Sequence, residues 1–236
     1  MTLSVLVFQH DPHDGPGYLG EALTQRGANL DIVRLYQGEV ISNLSNYDML
    51  LVMGGEMNVY QEDKYPWLIE ETHAIREAVE AGKAVLGVCL GGQLLAKALD
   101  AQVHLGAATE IGLTSIELTK AGKVDPLFEG LSQVEAVEWH DDSFDIPAGA
   151  VVLARSEGCA HQAFRFGQCA YGLQFHPEVS PLMLAEWIKG AGDTPIDRSS
   201  FQRAVEAKTG ALQTQADHLI ENFVRTYAGD SEKIDH

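Results

Sequence analysis

Residues 85–95 read VLGVCLGGQLL, and the fold and chemistry of the chain follow from this stretch. A short apolar run at residues 84–88 reads as a buried strand. A glycine-flanked turn follows, and then the start of a helix. Cys89 stands at the apex, within Gly87-Val88-Cys89-Leu90-Gly91-Gly92-Gln93. This is the pattern of a nucleophile elbow, with Cys where G-x-S-x-G hydrolases carry Ser. Glycines suit such a turn because it leaves no room for side chains. The helix N-terminus behind Cys89 offers unpaired N–H groups and a positive dipole end, which favour a thiolate. Taken alone, the stretch reads equally well as a buried cysteine in a glycine-rich turn of an ordinary α/β domain.

Strands and helices alternate around it. Residues 3–8, 30–35 and 49–53 read as strands, and residues 18–26, 65–81 and 92–99 as helices. That alternation argues for a mostly parallel sheet covered on both faces. Sites in such sheets lie at the C-terminal strand ends, where Gly54-Gly55 and Cys89 both fall. Beyond Asp100 the texture changes. Residues 103–105, 113–118, 134–139, 151–155, 162–165 and 170–175 read as short strands, expected to be antiparallel additions to the sheet. Residues 124–131 read as a turn of helix within a loop. Residues 181–189, 199–209 and 212–227 read as three helices. The expected architecture is α/β, a three-layer flavodoxin-like mixed sheet, with residues 1–190 as one domain and residues 191–236 as a helical appendage.

Composition narrows the partners. Sixteen Lys and Arg against thirty-four Asp and Glu leave a net charge of −18. This argues against nucleic acid and anionic membranes, which need clustered cations. No basic leader and no stretch of membrane-spanning length stands out. Three cysteines, Cys89, Cys159 and Cys169, form no C-x-x-C pair and suit a reducing cytoplasm.

A second informative stretch is YGLQFHPEV, residues 171–179. A strand delivers His176 at its end, Pro177 stops the ladder, and Glu178 follows. On extended backbone, residues i and i+2 point the same way. Glu178 is thus placed to hold one imidazole nitrogen and leave the other for a thiol, the logic of a triad. Alone, the same residues also suit a loop exposing polar groups.

Together, Gly-x-Cys-x-Gly-x-Gln, Gln174-Phe175-His176-Pro177-Glu178 and Met53-Gly54-Gly55 resemble the class I, triad-type glutamine amidotransferases. Tyr65-Pro66-Trp67 and Val137-Glu138-Trp139-His140 extend the resemblance to roughly residues 1–185, nearest to free-standing proteins similar to the glutaminase domain of GMP synthase. The resemblance implies Cys89 as nucleophile, His176 as general base and acid, and Glu178 as its orienter. It implies the N–H groups of Gly55 and Leu90 as the oxyanion hole. Gln93 would position bound glutamine, and the segment after His140, Asp141 and Asp142, would hold the substrate's α-groups. No metal and no organic cofactor is expected.

The chain departs from the family pattern at Glu56, where proline is expected, at Asp100, where glycine is, and at Asp141, where glycine or serine is common. Glu56 and Asp141 would add negative charge at the pocket mouth. Three functions stay open. The first is glutamine hydrolysis with ammonia passed to a separate synthetase or acceptor subunit. The second is stand-alone hydrolysis of a γ-glutamyl amine or peptide. The third is a catalytically silent regulatory subunit. His10 and His13 read as a substrate-side loop rather than a metal site. His140 reads as a pocket wall and alternative base. Glu70, Glu71 and Glu77 read as a solvated helix face, and Cys159 and Cys169 as inert thiols.

Overall fold

The structure, a computed structural model, describes the backbone of residues 2–234 and the side chains of residues 2–227. Strand β1 (Ser4–Gln9) sits between β2 (Asn29–Arg34) and β3 (Met49–Val52), with β4 (Ala84–Val88) beyond β3, all parallel. Helix α1 (Gly17–Gln25) links β1 to β2, and α2 (Trp67–Glu80) links β3 to β4. Helix α3 (Leu90–Ala98) leaves the elbow. A two-stranded ribbon pairs β5 (Val103–His104) with β8 (Ser143–Phe144). The remaining strands are β6 (Glu110–Leu118), β7 (Val134–His140), β9 (Val151–Arg155), β10 (Ala163–Phe166) and β11 (Ala170–Leu173). The main sheet has nine strands in the order β2-β1-β3-β4-β11-β10-β9-β6-β7.

Alternation along the strands makes the three layers. Val5 and Val7 pack with Leu19 and Leu23 of α1, Leu184 of α4 (Pro181–Gly190) and Val205, Leu219 and Ile220 of α5 (Arg198–Ile234). Leu6 and Phe8 face the other way, onto Leu68 and Ile75 of α2 and Leu94 and Leu95 of α3. Both faces of the central strands are therefore buried, which explains their unbroken apolar runs.

Two expectations are corrected. Strand β11 is not an antiparallel addition: it pairs parallel to β4, with Leu173 opposite Val88. On its other side β11 pairs antiparallel with β10, and the β10–β9, β9–β6 and β6–β7 pairs are antiparallel too, while β5, expected in this sheet, pairs antiparallel with β8 in the separate ribbon. The chain leaves the parallel sheet at one edge and returns to its centre, so the end of β11 lies beside the elbow. The tail beyond Pro195 is one helix, not two. Gly210 sits inside α5, where its propensity cost of about 1 kcal/mol is offset by buried Val205, Leu212, Ala216 and Phe223 on either side. The stretch at residues 124–131 holds the short 3-10 turn Pro126–Phe128.

Candidate active site

Cys89 occupies the turn between β4 and α3 with φ 51° and ψ −107°. A non-glycine residue at positive φ is strained and needs surrounding structure to hold it. Two strand ends do so. The Cys89 N–H donates to the Leu173 carbonyl at 2.8 Å, and the Gly91 N–H donates to the Met53 carbonyl at 3.2 Å. Gly91 is obligatory, because a Cβ there would lie 2.1 Å from the Val52 carbonyl oxygen. Leu90 begins the helix, where first-turn N–H groups lack intrahelical partners.

His176 follows β11 and is pinned by its own N–H, which donates to the Val137 carbonyl of β7 at 2.9 Å. Its Nδ1 lies 2.7 Å from Glu178 Oε1, and Glu178 is 1% exposed. Glu178 is itself fixed through its backbone. Its carbonyl accepts from the Tyr18 N–H at 2.9 Å, across an approach that only Gly17, at φ +43°, permits. Burial would lower the pKa of His176. The Glu178 carboxylate and the Cys89 sulfur override burial and hold the imidazole well above its ordinary value. The Trp187 ring from α4 meets the imidazole edge-on, with centroids 4.8 Å apart.

Cys89, Leu90, Gly55, Gln93, Glu56, His140, Asp141, Asp142 and His176 line one cavity of about 460 Å³. The structure thus brings together the expected nucleophile, base, oxyanion-hole and substrate-binding residues, with Glu178 behind His176; of the loop read as substrate-side, His13 lines the cavity and His10 does not. Their individual settings differ. Glu56 and Asp141 are exposed on the rim. Gln93 is buried, and its Nε2 donates to Gln174 Oε1 at 3.2 Å. His140 is engaged away from the sulfur: Nδ1 donates to the Asp142 carbonyl at 3.1 Å, and Nε2 lies 3.1 Å from Glu138.

Several contributors were not singled out by sequence. Gln174 Nε2 reaches Cys89 Sγ at 3.6 Å, linking Gln93 to the sulfur. Asp14 lines the cavity, and burial pushes its carboxyl up to about 6, partly countered by the charge of His176. Trp187 and Glu186 enter from α4. Glu71 belongs to no solvated face: it is 0% exposed and bonds His10 Nε2 at 2.7 Å. His10 Nδ1 donates to the Gly54 carbonyl at 2.9 Å, so both ring nitrogens are occupied. This pair fixes the glycine turn that carries Gly55. Sequence offered one hint, a histidine closing β1 beside the Gly-Gly turn that closes β3. The burial of Glu71 had no local signal.

The glutamine amidotransferase class-I family profile matches residues 18–185. The glutamine amidotransferase-like protein YfeJ of Salmonella typhimurium is 36% identical over 176 residues, spanning 72% of this chain and 74% of its own length. A glutamine-hydrolyzing GMP synthase subunit from Sulfurisphaera tokodaii is 32% identical over 153 residues, covering 64% of this chain and 77% of its own. A crystal structure of a glutamine amidotransferase from Thermotoga maritima superposes with a TM-score of 0.87 at 30% identity, over 95% of this chain and 99% of that one. No helix among the described residues is long and apolar enough to cross a membrane. Profile match, sequence relatives and superposition agree with the elbow geometry: the chain belongs to the class I glutamine amidotransferase family.

Proposed function

We propose that this chain hydrolyses the side-chain amide of glutamine through Cys89, His176 and Glu178. The observation that carries the proposal is the strained Cys89 beside an imidazole whose Nδ1 is held 2.7 Å from Glu178 at the wall of the cavity. The thiolate of Cys89 attacks the amide carbon. The oxyanion that forms is taken by the N–H groups of Leu90 and Gly55; losing one such donor typically costs on the order of 10²–10³ in rate. His176, holding a proton on the nitrogen away from Glu178, delivers it to the leaving nitrogen as the C–N bond breaks. Ammonia departs and a γ-glutamyl thioester remains on Cys89. His176 then takes a proton from water, which attacks the thioester and releases glutamate. Gln174 supports the role of Cys89 by donating to its sulfur, and Gln93 orients Gln174. The ammonia goes to a separate acceptor protein, by analogy with the relative that is one subunit of GMP synthase.

A second reading has its own support. The cavity is lined by Asp11, Asp14, Glu56, Asp141, Asp142 and Glu186 and, among the described residues, by no Lys or Arg. That favours a γ-glutamyl amide whose nitrogen carries a further cationic group. The deciding assay measures glutamate released by the purified chain from glutamine and, separately, from γ-glutamyl amines, with Cys89→Ala as control. Release from glutamine, abolished in Cys89→Ala, supports the first reading. Release only from the amine conjugates supports the second. Release from either that survives in Cys89→Ala sinks both.

A further inference from the structure

Behind the wall of the cavity, β6 and β7 place three ligand-type side chains together. Glu110 lies opposite His140 in the antiparallel register, and Glu138, two residues before His140, points to the same side. One ligand atom from each lies within 4.8 Å of the others. His140 Nε2 is 3.1 Å from Glu138 Oε2 and 3.6 Å from Glu110 Oε2. The Glu138 side chain is 0% exposed and that of His140 is 1% exposed. Yet both carboxylate oxygens of Glu138 and Nε2 of His140 lack a hydrogen-bond partner, the 3.1 Å approach being wrongly directed for one. Unpaired buried polar atoms are costly and uncommon.

The tautomer sharpens the point. A carbonyl only accepts, so His140 Nδ1 carries the proton donated to Asp142. His140 Nε2 is left beside the two carboxylates, 3.1 Å from Glu138 and 3.6 Å from Glu110. A ligating histidine characteristically holds its other nitrogen on a carbonyl in this way. Glu110 is supported similarly: Ser156 Oγ donates to it at 2.7 Å and Gln162 Nε2 at 2.8 Å. Zinc bonds of about 2.0–2.2 Å at tetrahedral angles put ligand atoms about 3.3–3.5 Å apart, and the two separations of 3.1 and 3.6 Å bracket that spacing.

We infer that Glu110, Glu138 and His140 form a binding site for a divalent first-row transition cation of the zinc class. One imidazole and two carboxylates leave a fourth position to water. The cluster includes none of Cys89, His176 and Glu178. It abuts the substrate pocket because His140 lines both, and its Nδ1 bond holds the Asp142 backbone.

The test titrates zinc chloride into the full chain, stripped with chelator and dialysed, by calorimetry. Cys89→Ser serves as the background, to remove the thiolate of the neighbouring site. One equivalent per chain is expected. Glu138→Gln in that background should weaken binding at least about tenfold, since even losing an outer partner of a ligand costs 10–100-fold. Glu110→Gln, nearer the surface, should weaken it similarly and guards against misfolding of the first variant. Cobalt in place of zinc should give a visible d–d spectrum without thiolate-to-metal charge transfer, which excludes Cys159. Absence of zinc binding by a chain with native circular dichroism overturns the proposal. So does binding that both variants leave unchanged.

Discussion

His10 and Glu71 form a solvent-excluded pair, with Nε2 2.7 Å from the carboxylate and both side chains 0% exposed. Through Nδ1 and the Gly54 carbonyl, the pair holds the turn that carries Gly55, a residue lining the cavity. Burial lowers the pKa of His10, but the charge and hydrogen bond of Glu71 more than compensate, leaving it raised above 6.5. A raised histidine contributes stability that is fully present below the unfolded value and is lost as pH rises through the folded one. Glu71→Gln should therefore destabilise the fold by about 3–5 kcal/mol and remove the decline in stability expected of wild type above pH 6.5. Chemical denaturation across pH checks both. A variant as stable as wild type would contradict this reading of the pair.

Asp14 gives a distinct pH signature. Burial raises its pKa from 3.8 to about 6, with His176 opposing. Its charge is thus unfavourable in the fold, and its contribution to stability falls as pH rises from 3.8 through 6. Asp14→Asn should flatten stability over that window and remove a titration near pH 6 from the kcat/KM profile. A profile identical to wild type would disconnect Asp14 from the reaction.

Glu178→Gln keeps the shape of the side chain and removes its charge. The pKa of His176 should drop, because the Glu178 carboxylate is the largest influence raising it. We expect kcat/KM to fall on the order of 10²–10⁴, with KM little changed. Iodoacetamide labelling read by mass spectrometry provides the second check. In wild type Cys89, on the cavity wall, should label well before Cys159, whose thiol burial pushes up, and before Cys169. In Glu178→Gln the preference for Cys89 should shrink.

Gly17→Ala tests backbone support at a distance from the sulfur. A Cβ at Gly17 would meet the Glu178 carbonyl oxygen at 2.1 Å, on a residue at φ +43°. Glu178 must move or the β1–α1 loop must open. We expect a destabilisation of more than about 1 kcal/mol and a loss in kcat larger than any change in KM. Thermal unfolding and steady-state kinetics, measured together, separate the two effects.

Asp100 shows how one departure from the family pattern is accommodated. It follows α3 at φ +63° and pairs with Arg76 at 2.6 Å. Glycine suits that left-handed position best, and Asp is among the residues that tolerate it. The local need for positive φ was legible from the expectation of glycine. The compensating ion pair was not, because Arg76 comes from another helix.

The sequence alone determined the elements that local pattern controls. Apolar runs set the parallel strands, the glycine spacing around Cys89 set the elbow, and the His176-Pro177-Glu178 spacing put an imidazole and a carboxylate on one side of an extended chain. These signals are short-range, so each can be read within a few residues. Tertiary structure decided the rest. Insertion of β11 beside β4 places His176 at Cys89, and strand order is set by which edges pair, not by any one strand's composition. The burial of Glu71, the reach of Gln174 to the sulfur, the Trp187 contact and the convergence of Glu110 with Glu138 and His140 all join residues from separate elements. Such side chains carry no local signal in a linear chain, and only packing takes them out of water and brings them together.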